Sequence, residues 1–218
     1  MANTELDTPP KFGGRVMKFI RSRDGWTMIL AFAICVVSSI FMAGLLPVGG
    51  GELHIGGRKM EQLGDTERRM MRISTVGQVF QELELVEYLT VRENILLPYF
   101  INRQFQLTAE AERRAAELAQ QARIDSHLDR PVGRLSHGER PRVAACRAMV
   151  VEPGLILADE PTANVDSDTA KHLLDLMQEL NESHAATFIF STHDQRVMER
   201  AKRVIRMVDG QIESDQLQ

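Results

Sequence analysis

An α/β fold around a mostly parallel sheet is predicted from about residue 49 onward, and three features predict it. Short apolar runs alternate with amphipathic stretches of helical length, the pattern of strands and the helices that cover them. One apolar run, residues 155–158, ends directly in Asp159-Glu160, as expected where a buried parallel strand leaves its sheet at a ligand crevice. The chain has 218 residues, 44% of them hydrophobic, enough to bury one good core.

The elements follow in order. Glu52-Leu53-His54-Ile55 reads as a short strand closed by Gly56-Gly57, and residues 73–80 as a second strand. Thr90 and Glu93 have the spacing of a capping box, in which each side chain satisfies the other's backbone N–H, and open a helix reaching Phe100. Residues 109–123, rich in Ala, Glu, Arg and Gln, form a further helix, and the chain breaks at Asp129-Arg130-Pro131-Val132-Gly133. Ser136 and Glu139 repeat the capping-box spacing ahead of a helix running to about Val151. After the strand at 155–158 come a helix over 167–182, a strand over 187–191 and a short helix over 195–202. Residues 204–211 are a hairpin turning at Asp209-Gly210. The chain carries no internal repeat.

Composition narrows the functional classes. A net charge of -4 gives no general attraction to nucleic acid or anionic lipid, so nucleic acid is not an expected partner. The two cysteines, Cys35 and Cys146, show neither ligand spacing nor a disulfide framework, which suits a reduced, cytosolic setting. Aromatic residues are 6% of the chain while Met numbers 11, a balance that favours aliphatic packing over a stacking platform for bases.

The N-terminal part divides in two. Residues 1–25 read as a basic tail, with Lys11, Arg15, Lys18, Arg21 and Arg23 outnumbering Glu5, Asp7 and Asp24. Residues 26–46 contain no charged residue, and such a run reaches the ~20 residues that span a hydrocarbon core as a helix. It reads as a buried helix or a transmembrane one, and the basic tail would hold the N-terminus in the cytoplasm. Residues 47–218 form the main domain, with a mostly helical portion over about 90–150.

Two adjacent acids at a strand exit suit a hard cation and a phosphate; on their own, they also fit a solvated strand end at a helix N-terminus. The residues around and beyond them decide between the two. Leu157-Ala158-Asp159-Glu160-Pro161-Thr162-Ala163-Asn164-Val165-Asp166-Ser167 resembles the Walker B motif and D-loop of ABC transporter ATPases. Val79-Phe80-Gln81 with Leu83, then Leu89-Thr90-Val91-Arg92-Glu93-Asn94, resembles the Q-loop region of the lipoprotein-releasing and macrolide-exporter branch. Leu135-Ser136-His137-Gly138-Glu139 resembles the signature motif, and Ser191-Thr192-His193-Asp194 the H-loop. The likeness covers about residues 43–213.

The resemblance implies a P-loop NTPase-like core with a helical subdomain, using ATP and Mg²⁺. It implies that Glu160 is the catalytic base, that His193 contacts the γ-phosphate, and that Asp159 and Gln81 serve the metal. Ser136, His137, Gly138 and Asp166 would face a nucleotide held by a second ATPase subunit, identical or related. A transmembrane permease would be the other partner, with the chain peripheral at the cytoplasmic face of the inner membrane.

Three departures stand out. The family's Gly-x-x-x-x-Gly-Lys-Ser/Thr loop supplies backbone N–H groups and a lysine to the phosphates, yet residues 29–37, where it should fall, read Ile-Leu-Ala-Phe-Ala-Ile-Cys-Val-Val. The strands before it are not recognisable either, so the N-terminal strands and the phosphate loop are expected to be lost. His137 replaces a glycine of the signature, and Pro141 falls inside the following helix pattern, where it would delay or kink the helix. The alternatives to a working ATPase are therefore a non-hydrolysing partner subunit and an altered gene product lacking the phosphate loop.

Overall fold

The computed structural model describes residues 27–31, 53–102, 105–209 and 211–218. Its centre is a six-stranded sheet. Strand β1 (Thr27–Ala31) is flanked on both sides by parallel neighbours, β6 (Thr187–Ser191) and β7 (Arg203–Val208). Strand β5 (Leu155–Asp159) pairs in parallel with both β4 (Val76–Val79) and β6, and β8 (Gln211–Leu217) closes the far edge antiparallel to β7. The spatial order is β4-β5-β6-β1-β7-β8. A separate two-stranded ribbon joins β2 (His54–Ile55) to β3 (Arg58–Lys59) across Gly56 and Gly57, both at positive φ.

The sheet corrects the reading of residues 26–46 as a helix. Five of them form β1, and interior parallel strands read as unbroken apolar runs for the same reason that buried or spanning helices do. Residues 26 and 32–46 lie outside the described residues, as does the basic tail over 1–25. Among the described residues, no helix is long and apolar enough to cross a membrane.

Alternation along β5 divides the core. Ile156 and Ala158 join the large cluster that includes Phe188 and Phe190, while Leu155 faces a smaller one with Val76, Ile189, Ile205 and Met207. Helix α1 (Asp65–Thr75) leads into β4, so the strand expected over 73–80 begins only at Val76. Asp65 and Glu67 lie in the first turn of α1, and the Glu67 carboxylate accepts from the Gly64 N–H, a capping signal that places the helix earlier than the apolar run suggests.

Residues 91–149 contribute no strand to the sheet among the described residues. Thr90 and Glu93 form a complete capping box on α2 (Val91–Ile95). The expected single helix to Phe100 is two, because Pro98 lacks an N–H and instead starts α3 (Leu97–Ile101) in its first turn. Asn94, fully buried, accepts from Val86 N–H and donates to the carbonyls of Val86, Leu89 and Thr90, tying the preceding loop down. Helix α4 (Ala109–Gln121) buries Ala115 and Leu118.

Helix α5 (Arg140–Met149) starts four residues later than Ser136. The Glu139 carboxylate accepts from both the N–H and the hydroxyl of Ser136, so only half of a capping box forms. Pro141 sits in the first turn, where a missing N–H costs nothing, and neither kinks nor breaks the helix. Helix α6 (Ser167–His184) packs Leu173, Leu174, Met177 and Leu180 into the large core. Helix α7 covers only Gln195–Met198 rather than 195–202, because the chain must extend at Arg203 to pair with β1.

Among the described glycines, Gly77 has the closest neighbours, where β4 meets α5. A Cβ on Gly77 would fall 2.5 Å from Ile156 Cδ1 and closer still to the Ala148 carbonyl oxygen. Overpacking such a site costs about 1–3 kcal/mol, so Gly77→Ala is expected to lower stability by at least about 2 kcal/mol. Equilibrium urea unfolding checks this: an unchanged midpoint would show that α5 does not rest on β4 as described.

Candidate functional site

Parallel pairing brings the carboxyl ends of β4, β5, β6 and β1 to one edge. Val79 is opposite Ala158, and Asp159 opposite Ser191, which is in turn opposite Ile29. Gln81, Asp159, Glu160, Thr192 and His193 therefore leave the sheet side by side, in the crevice where α/β sheets bind ligands.

Glu160 is the best-defined member. Its φ of 42° turns the chain as it leaves β5, and its N–H donates to Ser191 O at 2.8 Å, carrying the residue over β6. The side chain is 10% exposed and His193 is 82% exposed, so one oxygen of a buried carboxylate faces an open imidazole. His193 Nδ1 lies 2.7 Å from Glu160 Oε1, and the Thr192 hydroxyl donates to Oε2 at 3.1 Å. The structure thus joins the two residues expected to be catalytic in a direct contact.

Asp159 differs although it is the adjacent residue. Burial pushes its carboxyl above the usual range, a hydrogen bond with Ser191 opposes this, and the charge of Glu160 adds to the rise. Its Oδ1 is buried without a hydrogen-bond partner. An unsatisfied carboxylate oxygen is costly in an apolar setting, and oxygen donors of this kind are what a hard divalent cation takes. Asp159 is thus a single oxygen donor of the type Mg²⁺ takes, and among the described residues no cluster of three or more His, Cys, Asp or Glu side chains surrounds it. Gln81 is exposed and forms no described hydrogen bond to either acid.

Two further segments meet the Gln81 loop. Gln81, His137, Arg140, Pro161, Asn164 and Val165 line a cavity of about 140 Å³ between the stretch after β4, the start of α5 and the stretch after β5. His137 is exposed. Gly138 lies against the first turn of α6, where an added Cβ would be 3.1 Å from Thr169 Oγ1. That hydroxyl donates to Asp166 Oδ2 at 2.7 Å, and Asp166 Oδ1 accepts from the N–H groups of Asp168 and Thr169. Asp166 is thus the N-cap of α6, and these bonds hold its carboxyl below its usual value. Ser136, bonded to Glu139, makes no described contact with Glu160.

The sequence reading missed a supporting layer. The Thr162 hydroxyl donates to Asp194 Oδ2 at 2.7 Å, and Arg196 donates to both Asp194 oxygens. Asp194 also caps α7 through the Arg196 N–H. These bonds lock the stretch after β5 to the stretch after β6 and keep Glu160 and His193 in register. The signal was present in the spacing of Asp194 to Arg196, an Asx-type cap.

A family model described as "ABC transporter" matches residues 39–163. The lipoprotein-releasing system ATP-binding protein LolD 1 of Rhodopseudomonas palustris is 36% identical over 163 residues, 75% of this chain and 72% of that protein. LolD of Francisella tularensis is 33% identical over 172 residues, 79% of this chain and 74% of that one. The macrolide export ATP-binding/permease protein MacB of Rhodopirellula baltica is 35% identical over 76% of this chain and 24% of its own length. Among solved structures, the dimeric ATP-binding cassette MJ0796 bound to ADP and Pi superposes with a TM-score of 0.74 at 29% identity, covering 89% of this chain and 85% of that one.

The Arg196 guanidinium, with the Thr162 hydroxyl beside it, holds the Asp194 carboxyl at about 2 against an ordinary 3.8. A depressed carboxylate adds stability that is complete above its unfolded pKa and lost as pH falls through the folded one. Asp194→Asn is expected to cost about 1 kcal/mol at neutral pH, less than the full shift implies because solvent screens the exposed Arg196 guanidinium. The gap from the parent should close as the solution is acidified from pH 4 toward pH 2, read by thermal unfolding at each pH; a gap independent of pH would discount the ion pair.

Proposed function

Because the chain belongs to the ABC transporter ATP-binding family, we propose that it is the cassette subunit of a membrane export system of the lipoprotein-releasing or macrolide-exporting type. The observation that carries this reading is the held pair Glu160 and His193 beside the unsatisfied carboxylate of Asp159, all at one sheet edge. Mg²⁺, when bound, would neutralise phosphate charge there, with Asp159 and Gln81 as the residues of this chain that reach it. Glu160 orients a water and takes its proton, since Thr192 and His193 fix the nearly buried carboxylate and the exposed imidazole lies between it and solvent. His193, exposed on the other side of that pair, faces the γ-phosphate.

Ser136, His137, Gly138 and Asp166 act toward a second ATPase subunit, because they lie together at the start of α5 and of α6 rather than beside Glu160. That subunit is a second copy or a relative; dimeric cassettes among the similar structures support such pairing. For the permease, a cavity of about 430 Å³ lined by Val76, Phe80, Leu97, Pro98 and Ile101 offers an apolar seat, with Phe80, Phe100 and Ile101 exposed. The place of action is the cytoplasmic face of the membrane, peripherally.

A second reading has its own observation. Strand β1 ends at Ala31 on the same edge as the acids, and the sequence after it, Phe32-Ala33-Ile34-Cys35-Val36-Val37, has no glycine, lysine or hydroxyl. That segment does not fit a phosphate loop, which favours a subunit that lends its signature segment to a competent partner.

Calorimetric titration of the purified chain with ATP and Mg²⁺ separates the two. Saturable micromolar binding, with a turnover that Glu160→Gln reduces by about 10²-fold or more without loss of binding, is the result the ATPase reading requires. Turnover that survives Glu160→Gln would remove Glu160 as the base. Absence of binding at millimolar nucleotide by the folded protein would leave the partner subunit and the altered gene product lacking the phosphate loop.

A further inference from the structure

Two successive residues beyond Gln81, Leu83 and Glu84, hold φ at 59° and 46°. Neither is glycine, and the left-handed region forces an L side chain's Cβ against the following carbonyl oxygen. The turn's own bonds, Leu83 N–H to Phe80 O at 3.0 Å and Glu84 N–H to Glu82 O at 2.7 Å, close the backbone without using the carbonyls of Leu83 and Glu84. Both carbonyls are taken by one side chain. Arg147 Nη2 donates to Leu83 O at 2.6 Å and Nη1 donates to Glu84 O. A guanidinium fits this task because its rigid fork meets two acceptors at once, which an ammonium does not.

Arg147 belongs to α5, whose opposite end follows Ser136, His137 and Gly138. The same helix is seated through Ala148, the residue after Arg147, on Gly77 of β4, the strand that leads into the turn. We infer that Arg147 is a positioning residue that holds the turn after Gln81 in its left-handed form and makes that loop move with α5. A displacement at the start of α5 then reaches Gln81 through one rigid helix and one two-pronged contact. The bearing of this on Gln81 chemistry rests on the ATPase reading above; the conformational claim does not, and its test needs no nucleotide.

The test compares Glu84→Gly with Glu84→Ala in the full chain, in the parent background and in Arg147→Met. Both substitutions remove the Glu84 charge, so the difference between them reports the backbone: glycine accepts positive φ and alanine resists it. In the parent, the glycine variant should melt several degrees above the alanine variant. In Arg147→Met the gap should vanish or reverse as the turn relaxes to negative φ, and Arg147→Lys should leave an intermediate gap. Amide exchange at Leu83, Glu84 and Leu85 should rise by about tenfold or more in Arg147→Met, while amides of β6 keep their protection. The same gap in all backgrounds would overturn the inference. So would exchange that rises equally throughout the core, since that marks a packing role. If Arg147→Met does not fold, Arg147→Lys decides, and an undiminished gap there overturns the inference as well.

Discussion

Parallel pairing of β4, β5, β6 and β1 is the constraint on which the site depends. Strands that run the same way end on the same edge, so residues far apart in sequence, Gln81, Asp159, Glu160 and His193, leave the sheet as neighbours. The register is strongly specified because β5 has different partners on its two faces: Ile156 and Ala158 enter the large core, and Leu155 the small one. A slip of one residue would exchange those faces and carry Asp159 away from Ser191.

Within that frame, adjacent acids acquire separate roles from backbone geometry alone. Glu160 takes a left-handed conformation and bonds across to β6, where Thr192 and His193 occupy both of its oxygens. Asp159 remains in the strand with a buried oxygen unmet. Asp194, Thr162 and Arg196 fasten the two exit segments together, and Asp166 fastens the start of α6 under Gly138. Each of these carboxylates has a structural task that sets where the chemical groups stand.

Much of this was legible in the sequence. Residues 155–158, between Gly154 and Asp159, and the apolar core of 187–191, between Thr187 and Ser191, form the strands they suggest; Thr90 and Glu93 form the capping box their spacing implies. The resemblance to ABC transporter ATPases, read from motif order, agrees with the family match and the similar structures. Three of the local readings that failed did so for reasons visible in the sequence pattern. Apolar continuity in residues 26–46 does not separate an interior parallel strand from a helix, and β1 is such a strand. The run from Ile73 mixes the end of an amphipathic helix with a strand, because Ile73 serves α1 and Val76 serves β4. Ser136 and Glu139 have capping-box spacing, but the serine hydroxyl donates to the carboxylate rather than accepting from the N3 N–H, and the helix waits until Arg140. The contacts of Thr162, Asp194 and Arg147 join segments 32, or more than 60, residues apart, and a local pattern does not carry them.

In the proposed function, the sheet edge at Asp159 is a divalent cation site used together with a nucleotide. Electron paramagnetic resonance of Mn²⁺ titrated into the folded chain with ATP, for the parent and for Asp159→Asn, addresses it most directly. The parent is expected to deplete the free Mn²⁺ signal beyond what ATP alone does, and Asp159→Asn to weaken this by about tenfold or more. Equal depletion by both proteins, or none beyond that of ATP alone in the parent, would contradict it.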